Sequence, residues 1–143
     1  MTQQNTSSSF TLRAVGQVRS ALTDLATAPR QADEGAPPAW LDFDPAVADA
    51  LAGIQPGDEI IVVTWLDRAD RGILANHPRG DASRPRTGVF GTRSPHRPNP
   101  LGLHQVRVAA VEPLRLQVDG LEAIDGTPIV DVKAVLDADV TRR

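Results

Sequence analysis

The sequence predicts a mainly β fold, an antiparallel sheet or barrel, and three observations lead there. Short runs that alternate or are rich in β-branched residues recur at hairpin spacing, and strand patterns outnumber helical ones by about five or six to one. Turn signals separate those runs: Gln55-Pro56-Gly57-Asp58, Asp119-Gly120 and Asp125-Gly126-Thr127-Pro128. Only the segment opened by Asp44-Pro45 reads as a clear helix. The chain has 143 residues, enough for one domain that buries most of its unfolded surface.

Taken in order, residues 1–10 are polar and read as a disordered tail, 11–137 as the folded domain, and 138–143 as a loose end. Leu12 to Arg19 alternates well enough for a first strand, with Val15 out of phase. Ser20 to Pro38 is long and irregular; its composition leaves open whether it is a plain linker or a functional loop. In the helix, Asp44 is the expected cap, Pro45 suits the first position, Val47, Ala50 and Leu51 form the buried stripe, and Gly53 ends it. Glu59 to Leu66 is short, apolar and β-branched, which marks a central strand. Asp67, Arg68, Asp70 and Arg71 crowd its far end, either as surface ion pairs or as the rim of a site. Leu103 to Val111 is strand-like, Pro113 breaks it, and Leu114 to Val118 alternates cleanly. Asp119-Gly120 is a candidate hairpin turn, and Ile129 to Leu136 supplies the last strand.

Composition excludes several kinds of function. Without cysteine there are no disulfides and no thiol-ligated metals, and three widely spaced histidines offer no metal pair. No apolar run reaches membrane-spanning length, and Met1 to Ser9 lacks the regions of a signal peptide. A soluble cytoplasmic protein, with no membrane partner and no metal, is the expectation. The net charge of −3 argues against a general nucleic-acid binder. Its distribution says more. From His77 to Arg107 there are six arginines, all three histidines and a single acid, Asp81, so the rest of the chain is acidic. Arginine forks suit carboxylate and phosphate, which makes this segment a candidate for an anionic ligand. Arg79, Arg84, Arg86 and Arg97 are its candidate substrate contacts.

The chain centres on residues 88–104, GVFGTRSPHRPNPLGLH. Pro95, Pro98 and Pro100 exclude helix and central strand, yet apolar residues bracket the stretch. A rigid, donor-rich loop held between buried segments is where function usually sits. It carries neither a phosphate loop nor a dinucleotide fingerprint. Ser94 as a nucleophile would need an oriented base, and nothing orients His96. No catalytic residue is identified. The residues describe a site for a polar, polyfunctional small molecule, built from this loop and the Asp125-to-Pro128 turn.

The GVFGTRSPHRPNPLGL stretch and the later EAIDGTPIVDVK resemble the TsaA-like, or TrmO (YaeB), family of S-adenosylmethionine-dependent tRNA methyltransferases. The match runs through Gly88 to Phe90, Thr92 to Pro95, Arg97 to Pro100, Gly102 and Asp125 to Pro128, with Pro29-Arg30-Gln31 as a further element. Gly91 stands where the family has alanine, and Asp131-Val132-Lys133-Ala134 replaces Asp-Ile-Lys-Pro. The resemblance implies a small antiparallel β-barrel with one or two short helices, binding S-adenosylmethionine as a homodimer with the cofactor near the interface. It implies methylation of N6 of threonylcarbamoyladenosine in tRNA. Carried over by position, the cofactor contacts are Pro29, Arg30, Gln31, Asp67, Arg68, Arg93, Leu103, Asp125, Gly126, Thr127 and Pro128. By residue type, Arg93 or Arg30 suits the cofactor carboxylate. Longer bacterial members add a C-terminal domain, so a different acceptor, a small molecule or another nucleic acid, stays open. So does a binding module without catalysis.

Overall fold

An alternation of period two runs through the long strands, and it decides which side of each strand faces the core. In the computed structural model, which describes residues 8–22, 38–77 and 81–136, that alternation closes a six-stranded barrel. The strands are β1 (Gly16–Arg19), β2 (Ala39–Phe43), β3 (Glu59–Trp65), β4 (Ala75–Asn76), β5 (Thr87–Gly88), β6 (Leu101–Glu112), β7 (Arg115–Asp119) and β8 (Pro128–Ala134). Around the barrel they run β1-β2-β7-β6-β3-β8 and back to β1, every pair antiparallel. β4 and β5 form a separate two-stranded ribbon.

Inside, Val18, Leu41, Val62, Val106, Val108, Leu116, Val118 and Ile129 pack into one core. Burying each such side chain contributes about 1.5–3 kcal/mol. Between Val63 and Thr64 the β3–β8 register slips, and Val130 is the extra residue on β8. The bulge changes the strand's phase, so that both Ile129 and Val132 turn toward the core. β3 is one of six equivalent barrel strands rather than a strand covered on both faces, and only alternate residues along it are fully buried.

Four sequence expectations change. The first strand starts at Gly16, later than the alternation proposed. Ala39–Phe43, not anticipated as a strand, pairs with both β1 and β7. The helix is a 3₁₀ helix, Pro45–Leu51, broken in its regularity by Val47 at φ −109 and ψ 17. Asp44 does cap it, accepting from the Ala46 N–H at 2.9 Å, and Gly53 beyond it has φ +89. None of its residues is fully buried, though Val47 and Leu51 lean on the core. The β6–β7 hairpin turns at Pro113-Leu114, with Leu114 at φ 62, and not at Asp119-Gly120. Gly120 instead sends the chain into the 121–127 segment, whose Leu121 and Ala123 join the core.

Candidate functional site

Antiparallel closure has a direct consequence for function. The C-terminal ends of β1, β3 and β7 and the N-terminal ends of β2, β6 and β8 share one end of the barrel. The 66–100 connection and the 120–127 connection therefore both lie there. Pro29, Arg30 and Gln31 lie outside the described residues, between β1 and β2, whose flanking ends are also at this end. Arg79 lies outside the described residues too.

The central loop is held by its own polar side chains. Arg97 donates to the carbonyls of Thr92 (3.3 Å), Ser94 (3.1 Å) and Val89, and so clamps the loop from within. Ser94 Oγ accepts from Asn76 Nδ2 at 3.0 Å and from the His96 N–H at 3.2 Å. The hydroxyl is a structural acceptor. His96 Nδ1 accepts the Asp70 N–H at 2.9 Å, and Arg71 donates to Pro98 O at 2.7 Å and to Asn99 Oδ1 at 3.2 Å. Asp70 and Arg71 are thus spent on docking the 66–72 turn against the motif loop, and Arg71 also lies 5.2 Å from the Trp65 ring centroid. The sequence left this charge cluster as either surface ion pairs or the rim of a site, and it did not show the partner loop.

Arg93 faces outward. One Nη2–H donates to Leu103 O at 3.1 Å, where β6 has not yet met β7, which leaves the rest of its fork for a ligand. The structure thereby brings together Arg93 and Leu103. Asp67 and Arg68 are exposed in the turn just after β3, near Pro100, whose carbonyl receives the Leu66 N–H at 2.8 Å. On the neighbouring connection, Asp125 Oδ1 accepts the Ser20 N–H at 3.0 Å, while its own N–H donates to Leu22 O at 2.7 Å. Gly126 N–H donates to Val18 O, and the buried Thr127 bonds Ile124 O through its hydroxyl at 2.7 Å. Gly126 has φ +85, a conformation that suits glycine. The Asp125-to-Pro128 turn is thus tied to the chain that leaves β1 toward Pro29.

Of the other arginines, Arg84 sits 3.6 Å from Asp81, whose carboxyl is held below its usual range first by the Ser83 hydroxyl and then by the Ser83 N–H. Arg86 is exposed and forms no hydrogen bond or ion pair among the described residues. Exposed apolar side chains also belong to this end: Leu74 (67% exposed) and Phe90 (85%) flank the ribbon in the chain, and Leu101 and Leu103 (52%) stand on the outer face of β6. A groove of about 580 Å³ is at the opposite end, lined by Val15, Phe43, Leu51 and Ile54 among others and edged by Asp58 and Asp131. It is apolar with an acidic edge, whereas the hydrogen-bond donors converge at the motif end. Among the described residues no group of His, Asp and Glu is arranged to hold a metal, and no helix is long and apolar enough to cross a membrane.

A closed antiparallel barrel whose connections gather an arginine-bearing proline loop and an Asp-Gly-Thr-Pro turn at one end defines a small-ligand-binding barrel. The tRNA-methyltransferase O N-terminal domain family matches residues 17–139, and the chain belongs to that family. A probable S-adenosyl-L-methionine-binding protein of Archaeoglobus fulgidus is 41% identical over 122 residues, covering 85% of this chain and 33% of that one. Another, from Methanothermobacter thermautotrophicus, is 38% identical over 122 residues, covering 85% of this chain and 87% of its own. The crystal structure of TrmO from Pseudomonas aeruginosa superposes with a TM-score of 0.72 at 27% identity, over 90% of this chain and 57% of that one. The chain therefore spans a third of the first relative and little more than half of the solved structure.

Proposed function

We propose that the protein binds S-adenosylmethionine at the motif end of the barrel and transfers its methyl group to N6 of threonylcarbamoyladenosine in tRNA. The observation that carries this reading is the convergence of the Arg93 loop and the Asp125 turn at one end, in a family whose relatives are named for the cofactor. The donor set fits the group: the Arg93 fork suits a carboxylate, and Leu103, Asp67, Arg68 and the Asp125-to-Pro128 turn, at the same end of the barrel, offer polar backbone and apolar surface. When bound, the cofactor supplies an electrophilic methyl on a positively charged sulfur. Displacement at that carbon is accelerated by alignment and by exclusion of water, so the task of this chain is positioning.

The exposed Leu74, Phe90, Leu101 and Leu103 at the motif end support a homodimer in which a second copy covers the site. Arg84 and Arg86, both exposed just before β5, are cations open to an RNA backbone. Arg97, committed to three carbonyls, shapes the loop instead.

The test is incubation with labelled S-adenosylmethionine and bulk cell RNA, followed by nucleoside analysis. Label in the N6-methylated threonylcarbamoyladenosine nucleoside is the expected result. Micromolar cofactor binding, about −8 kcal/mol, without RNA labelling would move the reading to a small-molecule methyltransferase or a binding module. No binding at all would end it.

A further inference from the structure

The mouth of the barrel holds a buried polar row that none of the cofactor contacts above uses. Thr64 on β3 and His104 on β6 both face inward, with Thr64 Oγ1 2.9 Å from His104 Nε2. Glu122, in the segment that follows β7, brings Oε1 to 3.6 Å from His104 Nδ1; the two side chains are 24% and 8% exposed. Gly102 is what lets the row form. A Cβ there would stand 2.5 Å from Thr64 Oγ1 and 2.7 Å from His104 Nε2.

Two atoms of the row, His104 Nδ1 and Glu122 Oε2, are buried without a hydrogen-bond partner. Buried polar groups are nearly always satisfied, and leaving one unmet is destabilising. A carboxylate with uncommitted lone pairs, backed by an imidazole, is an arrangement suited to accepting a proton. Its position agrees with that role. His104 follows Leu103, whose carbonyl receives Arg93, and Glu122 precedes the Asp125 turn by three residues. The row is thus adjacent in the chain to both halves of the candidate site.

We infer that Glu122 is the proton acceptor in methyl transfer, with His104 and Thr64 as positioning residues behind it; this rests on the methyltransferase reading above. The need for it is chemical. A nitrogen placed between a carbonyl and a purine ring shares its lone pair with both, and is a poor nucleophile until its N–H proton leaves. That proton passes to the Glu122 carboxylate, which becomes the acid. The electron pair left on nitrogen forms the N–CH3 bond, and the carbon–sulfur bond breaks with its pair staying on sulfur. One positive charge at sulfur and one negative charge at Glu122 are cancelled together. In the tautomer this role requires, the Thr64 hydroxyl donates to Nε2 and the Nδ1 proton is directed toward the Glu122 carboxylate, 3.6 Å away.

The experiment compares the wild-type chain with Glu122→Gln, Glu122→Asp and His104→Gln. Three quantities are read: calorimetric affinity for S-adenosylhomocysteine, affinity for a threonylcarbamoyl-bearing anticodon stem-loop in its presence, and the rate of methyl transfer to that RNA. Glu122→Gln should keep both affinities within about twofold while the rate falls by about 10²–10⁴. His104→Gln should lower kcat by about tenfold with KM unchanged, and Glu122→Asp should recover part of the loss. Nitrogen-15 NMR of the wild type should show the proton on His104 Nδ1. A Glu122→Gln protein that transfers at the wild-type rate overturns the inference, as does a bare Nδ1. If cofactor affinity and melting temperature fall in step with the rate, the pair is structural and the inference is likewise overturned. Should Glu122→Gln fail to fold, His104→Gln carries the same comparison. A wild-type chain that binds no S-adenosylhomocysteine fails before any variant is made, and that result removes the methyltransferase reading itself.

Discussion

Arg93 and Arg97 belong to one loop, yet their guanidinium groups serve different ends. Arg93 spends one N–H on Leu103 O and turns outward, whereas Arg97 bonds the carbonyls of Val89, Thr92 and Ser94. Arg93→Ala should weaken S-adenosylmethionine binding by about 1.5–3 kcal/mol, the worth of charge-assisted hydrogen bonds, and leave stability nearly unchanged. Arg97→Ala should do the reverse at first order: denaturation would show about 1.5–3 kcal/mol lost, because the loop carbonyls lose their donor. Calorimetry and urea unfolding on both variants separate the roles, and equal effects of the two substitutions would contradict the assignment. Gly102 is the other residue whose identity the geometry dictates. Gly102→Ala drives a methyl group into the Thr64–His104 contact, where the nearest atoms are the buried side chains of those two residues. Overpacking of that kind costs about 1–3 kcal/mol. A variant as stable as the wild type would show that the row yields freely.

The Asp125-to-Pro128 turn is an element whose bonds reach outside itself. Asp125 holds both the Ser20 N–H and the Leu22 carbonyl, and Gly126 holds Val18 O, so the turn fixes the direction in which the chain leaves β1. Asp125→Ala should therefore raise hydrogen exchange at Ser20 and Leu22 and weaken cofactor binding together, by roughly 1–3 kcal/mol. Faster exchange with unchanged affinity would confine the turn to a structural role. Much of this element was legible from sequence, because a Gly at positive φ inside Asp-Gly-Thr-Pro is a local requirement. β3, β6 and β8 were legible for a similar reason: each is a local run of apolar and β-branched residues set off by turn or proline signals. β2 was not. Its Asp42 points out of the barrel to Arg19 at 3.2 Å and Arg115 at 2.9 Å, and Arg115 in turn lies over the Trp40 ring at 4.1 Å. An acid in a five-residue run reads as a loop until pairing on both sides supplies the reason for it. The Thr64–His104–Glu122 row was invisible for the same kind of cause, since only closure of the barrel brings three distant segments to one point.

At the scale of the whole molecule, charge and apolar surface divide between the two ends. Asp58, Glu59 and Asp131 edge the groove opposite the motif end, while Arg84, Arg86 and Arg93 belong to the connection at the motif end. Apolar Leu74 and Phe90, exposed, flank the ribbon in the chain. If a second copy covers them, Leu74→Asp with Phe90→Asp should halve the mass seen by light scattering and weaken cofactor binding at the same time. A wild-type monomer with full affinity would exclude a shared site. The same polarity orients a polyanion, and here the two arginines differ. Asp81 is held ionised by Ser83, so its folded pKa is depressed; its pairing with Arg84 is therefore present at neutral pH and fades only on acidification below the ordinary carboxylate range. That pairing offsets part of the charge Arg84 presents, whereas Arg86 has no such partner among the described residues. Removing one cation that neutralises a phosphate should reduce the salt slope of RNA binding by roughly 0.7–0.9. Arg86→Ala should show that reduction in full, Arg84→Ala less of it, and the double variant should methylate RNA more slowly at each salt concentration with cofactor affinity intact. Asp81→Ala should move the slope the other way, because it frees Arg84. Normal methylation by the double variant across a salt series would leave the arginines as a solvated face and take from the tRNA reading its electrostatic support.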